Sequence, residues 1–248
     1  MNKEKMEFPT EEVELPSKGL IYPEENPLSS GKIEMKYMTA KEEDILSNQS
    51  YIEKGTVLDK LLKSLIVSDI NYNDLIVGDK NAIMIAARIL GYGKDYEFEY
   101  KGEKVTVDLT TLENKKFDEE KISRGVNEFT YTLPTTGTNI TYKLLTHKDE
   151  NAIAAELKGY KKINKNSNPE VSTRLKHMIL SVEGDDSRST INNFVDKHLL
   201  ARDARAFRQH VQEIQPDVDL NVTVEVDDGV EAIELPIGVT FFWPDARV

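Results

Sequence analysis

Residues Ile33–Ile66 read IEMKYMTAKEEDILSNQSYIEKGTVLDKLLKSLI, and this stretch decides the fold class. It holds one short strand-like segment followed by two helix starts. Thr39 and Glu42 have capping-box spacing, in which the hydroxyl takes the amide of the third helical residue and the carboxylate reaches back. Thr56 and Asp59 repeat the spacing after Gly55, more weakly because Asp is shorter. Behind the second start, Val57, Leu58, Leu61, Leu62, Leu65 and Ile66 fall on one face at helical period. Strand, capped helix and amphipathic helix in so short a run predict an α+β fold. The run contains no nucleophile–base pair, no ligand cluster and no phosphate loop.

Working outward, the 248 residues are enough for a real core, in one large domain or two small ones. With 39% hydrophobic and 31% charged residues, the chain reads as globular and soluble. Its net charge of −12 argues against nucleic acid, because phosphate binding needs a basic stripe and none stands out. The absence of cysteine removes disulfides, thiol catalysis and Cys-ligated zinc, and fits an intracellular protein. The first residues, MNKEKMEFPTEEVELP, lack the apolar core of a secretory signal. No apolar run approaches the roughly 18 residues of a membrane span. The expectation is a cytoplasmic protein that binds neither membrane nor nucleic acid.

Residues 1–32 read as an extended N-terminal arm, because Pro9, Pro16, Pro23 and Pro27 disfavour helix at short intervals. Leu15, Ile21 and Tyr22 are its large apolar anchors, and they either wrap the chain's own domain or reach a neighbour. A first α+β lobe spans 33–112. It includes a helix that Asp79 can cap and Gly91 can end, then a hairpin turning at Lys101-Gly102. The charged segment 113–126 reads as a linker. A second lobe, 127–248, opens with a hairpin and continues through helices, the first capped by Thr146. Residues 161–168 form a basic polar loop before a helix whose buried face is expected to run from Val171 through Ile179 to Val182. The lobe closes on a hairpin turning at Asp228-Gly229 and an aromatic tail, Phe241-Phe242-Trp243. The architecture expected is helical bundles with short antiparallel hairpins, two lobes and an arm.

The four histidines, His147, His177, His198 and His210, do not have the i, i+4 spacing of a helical metal site, and His147 is expected at the surface. Glu183, Asp185 and Asp186 lack the alternating ligands of a calcium loop. No catalytic, cofactor or metal residue is assigned. Three consecutive aromatics cannot share one face of a strand, so one of Phe241, Phe242 and Trp243 must pack elsewhere in the chain or on a partner.

The segments LPSKGLIYP at 15–23, the Ile33–Ile66 stretch and LPIGVTFFWP at 235–244 together resemble the T4-type phage base plate protein family. Its members are described as baseplate hub subunits, hub assembly proteins or tail assembly chaperones. The resemblance implies a non-enzymatic role in building the hub, in the host cytoplasm and, for a retained subunit, in the virion. Partners would be hub or tail proteins or a second copy of the chain. Leu15, Ile21, Tyr22, Phe241, Phe242 and Trp243 are the candidate contact residues. One departure is plain: the Cys-x-x-Cys pairs that the family carries in hairpin turns are missing at Tyr100–Glu103 and Val226–Gly229, so no zinc is expected. A metal-dependent hydrolase using scattered Asp and Glu is a distant alternative.

Overall fold

A computed structural model describes residues 9–164, 168–227 and 229–242. Its architecture is α+β, with eight α-helices and four small antiparallel sheets among the described residues. The first sheet pairs β1 (Thr10–Glu14) with β2 (Lys32–Lys36), Val13 lying opposite Ile33. The chain between them is a compact, stapled loop. Leu15 donates its amide to the Gly31 carbonyl, and at Lys18-Gly19 the backbone enters the left-handed region that glycine adopts without strain. A Cβ on Gly19 would stand 2.4 Å from the Ser29 carbonyl oxygen, so this approach requires glycine.

The two capped starts become α1 (Ala40–Leu46) and α3 (Val57–Leu65), with the short α2 (Gln49–Glu53) between them. Glu42 accepts from the Thr39 amide, the reach-back bond of the capping box, and also from the Thr39 hydroxyl. Thr56 makes no side-chain cap; Asp59 instead faces Lys80 and Tyr72. The helix that Asp79 was expected to cap is α4 (Val77–Tyr92), whose cap position is Ile76, three residues earlier. Asp79 is therefore in its first turn, fully buried, and not the cap. Gly91 lies inside α4, which ends at Gly93.

The hairpin β3 (Asp95–Tyr100) and β4 (Glu103–Asp108) turns at Lys101-Gly102 as read. Residues 113–126 do not behave as a free linker. Asn114 bridges to Val218, Lys115 donates its amide to the Asp217 carbonyl, Ile122 is buried, and Gly125 donates to the Leu20 carbonyl. Beyond it, β5 (Phe129–Thr132) and β6 (Asn139–Tyr142) gain a third strand, β7 (Ile179–Val182). Ile179 and Val182 were expected on a helix face. The helix α6 (Glu170–Met178) stops before them, and the edge of β6 supplies the hydrogen bonds that extend the chain.

The remaining helices are α5 (His147–Ile163), α7 (Arg188–Lys197) and α8 (Ala201–Ile214). The final hairpin, β8 (Asn221–Val226) and β9 (Gly229–Glu234), returns to the start of the fold. The Tyr100 hydroxyl donates to Glu231, Lys101 pairs with Glu231 at 2.6 Å, and the Asp227 amide donates to Glu103. The two hairpins thus pack side by side across the expected lobe boundary. One continuous core runs from Leu15 to Phe242.

Candidate functional site

The segments singled out at the two ends of the chain converge on α4. At its first turn, Asp79 accepts from the Ser17 amide (2.9 Å), the Ser17 hydroxyl (2.7 Å) and the Tyr22 hydroxyl (2.6 Å). Tyr22 in turn accepts from the Ile76 amide. A Cβ on Gly78 would lie 1.9 Å from the Pro216 carbonyl oxygen, so glycine lets the segment after α8 touch the helix. Burial raises the Asp79 carboxyl to about 6, the three hydrogen bonds opposing it and nearby Asp217 adding to it.

At the other end of α4, Arg88 is 1% exposed and has no carboxylate partner among the described residues. Its guanidinium donates to the carbonyls of Phe241, Gly93 and Asp95 and lies over the rings of Tyr92 and Tyr96. Burial lowers its pKa. Phe241 and Phe242 are 0% exposed, and Phe241 meets Tyr96 edge-on at 4.7 Å. The tail is clasped onto its own chain.

These placements correct the contact-residue reading. Leu15, Ile21 and Tyr22 are at most 3% exposed, so all five described candidates are core side chains with no free surface. Trp243 lies outside the described residues. The signal for Asp79 and Arg88 is present in the sequence, since with Lys80 they are the charged residues of a largely apolar helix. Local spacing points to a cap at Asp79 and assigns no role to Arg88.

A cleft of about 340 Å³ between α3, α4, α5 and α6 brings together Lys80, His147, Glu150 and Arg174. His147, expected at the surface, is 4% exposed there because Tyr72 packs edge-on against its ring at 4.6 Å. Its Nε2 lies 2.9 Å from the Asn151 amide nitrogen and its Nδ1 3.4 Å from Lys80 Nζ. Burial and then Lys80 lower its pKa, so it is neutral at pH 7. Lys80 pairs with Asp59, and Arg174 forks onto Glu150 at 2.7 and 2.9 Å, so the charges cancel in pairs. Among the described residues, the ring nitrogens of His147 meet Lys80, Asn151 and Asp59 and no hydroxyl. Elsewhere, His210 bonds the Tyr142 hydroxyl and His177 the Glu156 carboxylate. Among the described residues, no group of three or more His, Asp or Glu has the geometry to hold a metal ion. Among the described residues, no helix is long and apolar enough to cross a membrane.

No protein-family model, no curated protein and no solved structure matches the chain.

Proposed function

We propose that this chain is a non-enzymatic assembly protein of a contractile phage baseplate, acting by binding hub components during tail morphogenesis. The observation that carries the reading is where the three resembling segments meet. LPSKGLIY is held to the first turn of α4 through Asp79, LPIGVTFF to its last turn through Arg88, and the Ile33–Ile66 stretch supplies β2, α1 and α3 of the same core. Segments far apart in sequence that meet around one helix form a single structural unit, as expected if the resemblance describes a fold. Reaction chemistry has less support, because the charged groups of the cleft are spent on one another.

The anchors at both ends act through the fold and not as contact surfaces. Deleting residues 1–23 would remove Leu15, Ile21 and Tyr22 from the core, and lost partner binding would then report unfolding. A cleaner test co-expresses the intact chain with individual baseplate and tail proteins of its phage. A complex with hub proteins but not with head proteins supports the reading. Mass spectrometry of purified virions separates a chaperone, which is absent, from a hub subunit, which is retained.

A further inference from the structure

The last hairpin ends the fold on an open strand edge. β8 packs against β4, whereas β9 is hydrogen-bonded to β8 alone among the described residues. Leu235 donates its amide to the Leu220 carbonyl, and the bonds of an antiparallel ladder recur at every second residue. The register therefore ties Ile233, Glu231 and Gly229 to β8 and turns the backbone N–H and C=O groups of Val230, Ala232 and Glu234 outward. None of these six groups has a hydrogen-bond partner among the described residues. Lysine, proline and bulges are the usual guards of such an edge, and β9, GVEAIE, has none of them. Val230 on it is 67% exposed. The charge of the hairpin is one-sided: residues 217–242 hold seven Asp or Glu and no Lys or Arg. Glu225, directly across from Val230, and Glu234 share its face of the sheet. Both are exposed, and neither is in an ion pair among the described residues. Glu231, on the other face, is held by Lys101.

We infer that β9 docks an extended basic segment of a partner protein, which adds a third strand to this sheet and sets its lysines or arginines on the face of Glu225 and Glu234. In strand addition the main-chain hydrogen bonds hold the segment, and alternate side chains select it. A cation opposite Glu234 has a direct cross-strand partner, and Glu225 lies one strand further in. The intervening side chains would continue the opposite face, where Val222, Val224 and Ile233 belong to the core, so β-branched residues suit them. A second copy of the chain fits less well, because β9 against β9 sets one acidic hairpin on another. A nucleic acid is repelled by the same charges. The inference stands on this edge alone and does not depend on the phage reading.

The test titrates the full chain with a fluorescein-labelled peptide of about ten residues in which lysine alternates with valine or threonine. Saturable anisotropy is expected, together with slowed hydrogen exchange at the amides of Val230, Ala232 and Glu234. Two further peptides are N-methylated on alternate residues, one set blocking each edge of the added strand. One of them should bind about tenfold or more weakly and the other should bind like the parent peptide, a comparison that leaves the protein unchanged. Glu225→Lys/Glu234→Lys should weaken binding about tenfold or more. Ala232→Pro should do the same, because it removes an outward N–H without touching the bonds to β8. All three positions are exposed, and unchanged urea midpoints establish that the variants are folded. The inference is overturned by any of four results: no binding at about 1 mM peptide; equal binding of the two N-methylated peptides; undiminished binding by the folded charge-reversed variant; or self-association of the chain that Ala232→Pro abolishes.

Discussion

Glu42 and Asp79 are both fully buried carboxylates, and they respond to pH in opposite senses. Burial pushes Glu42 up, but Thr39, Ser64 and Lys36 together outweigh it and hold the group at about 2. A lowered folded pKa stabilises the fold above the unfolded value near 4.5, and that stability is lost as pH falls toward 2. Glu42→Gln should therefore lower the unfolding free energy by roughly 2–3 kcal/mol at pH 7. The deficit should shrink between pH 4.5 and 2, measured by urea titration across that range. Asp79 behaves inversely. Its folded pKa of about 6 lies above the ordinary carboxyl value of 3.8, so its stabilising contribution is present below 3.8 and is lost as pH rises through 6. The free-energy difference between Asp79→Asn and the parent should move in the variant's favour by roughly 3 kcal/mol from pH 3.5 to 7.5. A pH-independent difference would remove the buried-carboxylate explanation. Asn also retains an acceptor for the Ser17 amide, so the variant keeps its fold.

The element around which the fold is built is α4, and its two ends carry the sharpest tests. Helix propensity alone favours Gly78→Ala by about 1 kcal/mol. Contact decides against it, because the new Cβ would overlap the Pro216 carbonyl, which belongs to backbone and cannot swing away. A net loss of about 2 kcal/mol or more in the urea midpoint is expected, from forced separation of α4 and the 216–217 segment. Arg88→Met keeps the aliphatic stem but leaves the Phe241, Gly93 and Asp95 carbonyls without their donor. It should cost about 3 kcal/mol and speed limited proteolysis after β9, where the tail is clasped. The sequence made the periodic and punctuated parts of the fold legible. The Thr39–Glu42 box, the Thr146 cap, the Lys101-Gly102 turn and the buried face of α3 all follow from local rules. It could not reveal α4 as the centre, since what marks that helix is contact with residues up to 153 positions away. β7 was missed for the same reason: a short aliphatic run suits a helix face as well as a strand, and only the edge of β6 decides.

At the scale of the whole molecule, the arm and tail first read as contact elements are the closing pieces of one core. Phe242→Ala should accordingly act as a core truncation, costing about 3–5 kcal/mol, and binding losses in that variant should track loss of folded protein. The expected boundary near residue 126 was legible as a charged, polar run, but composition carries no record of the pairing between Lys115 and Asp217 or of the two hairpins lying together. With Leu15, Ile21, Tyr22, Phe241 and Phe242 buried, the charge left for partners is uneven along the chain: residues 158–208 are basic and the rest is acidic. Polarity of this kind steers association with a charged partner and makes its rate salt-dependent. The most direct measurement is co-purification of the intact chain with each baseplate and tail protein of its phage, expressed in pairs. A stable complex with at least one hub protein, and none with head proteins, is the expected result. A folded chain that captures no hub protein in any pairing would end the assembly reading.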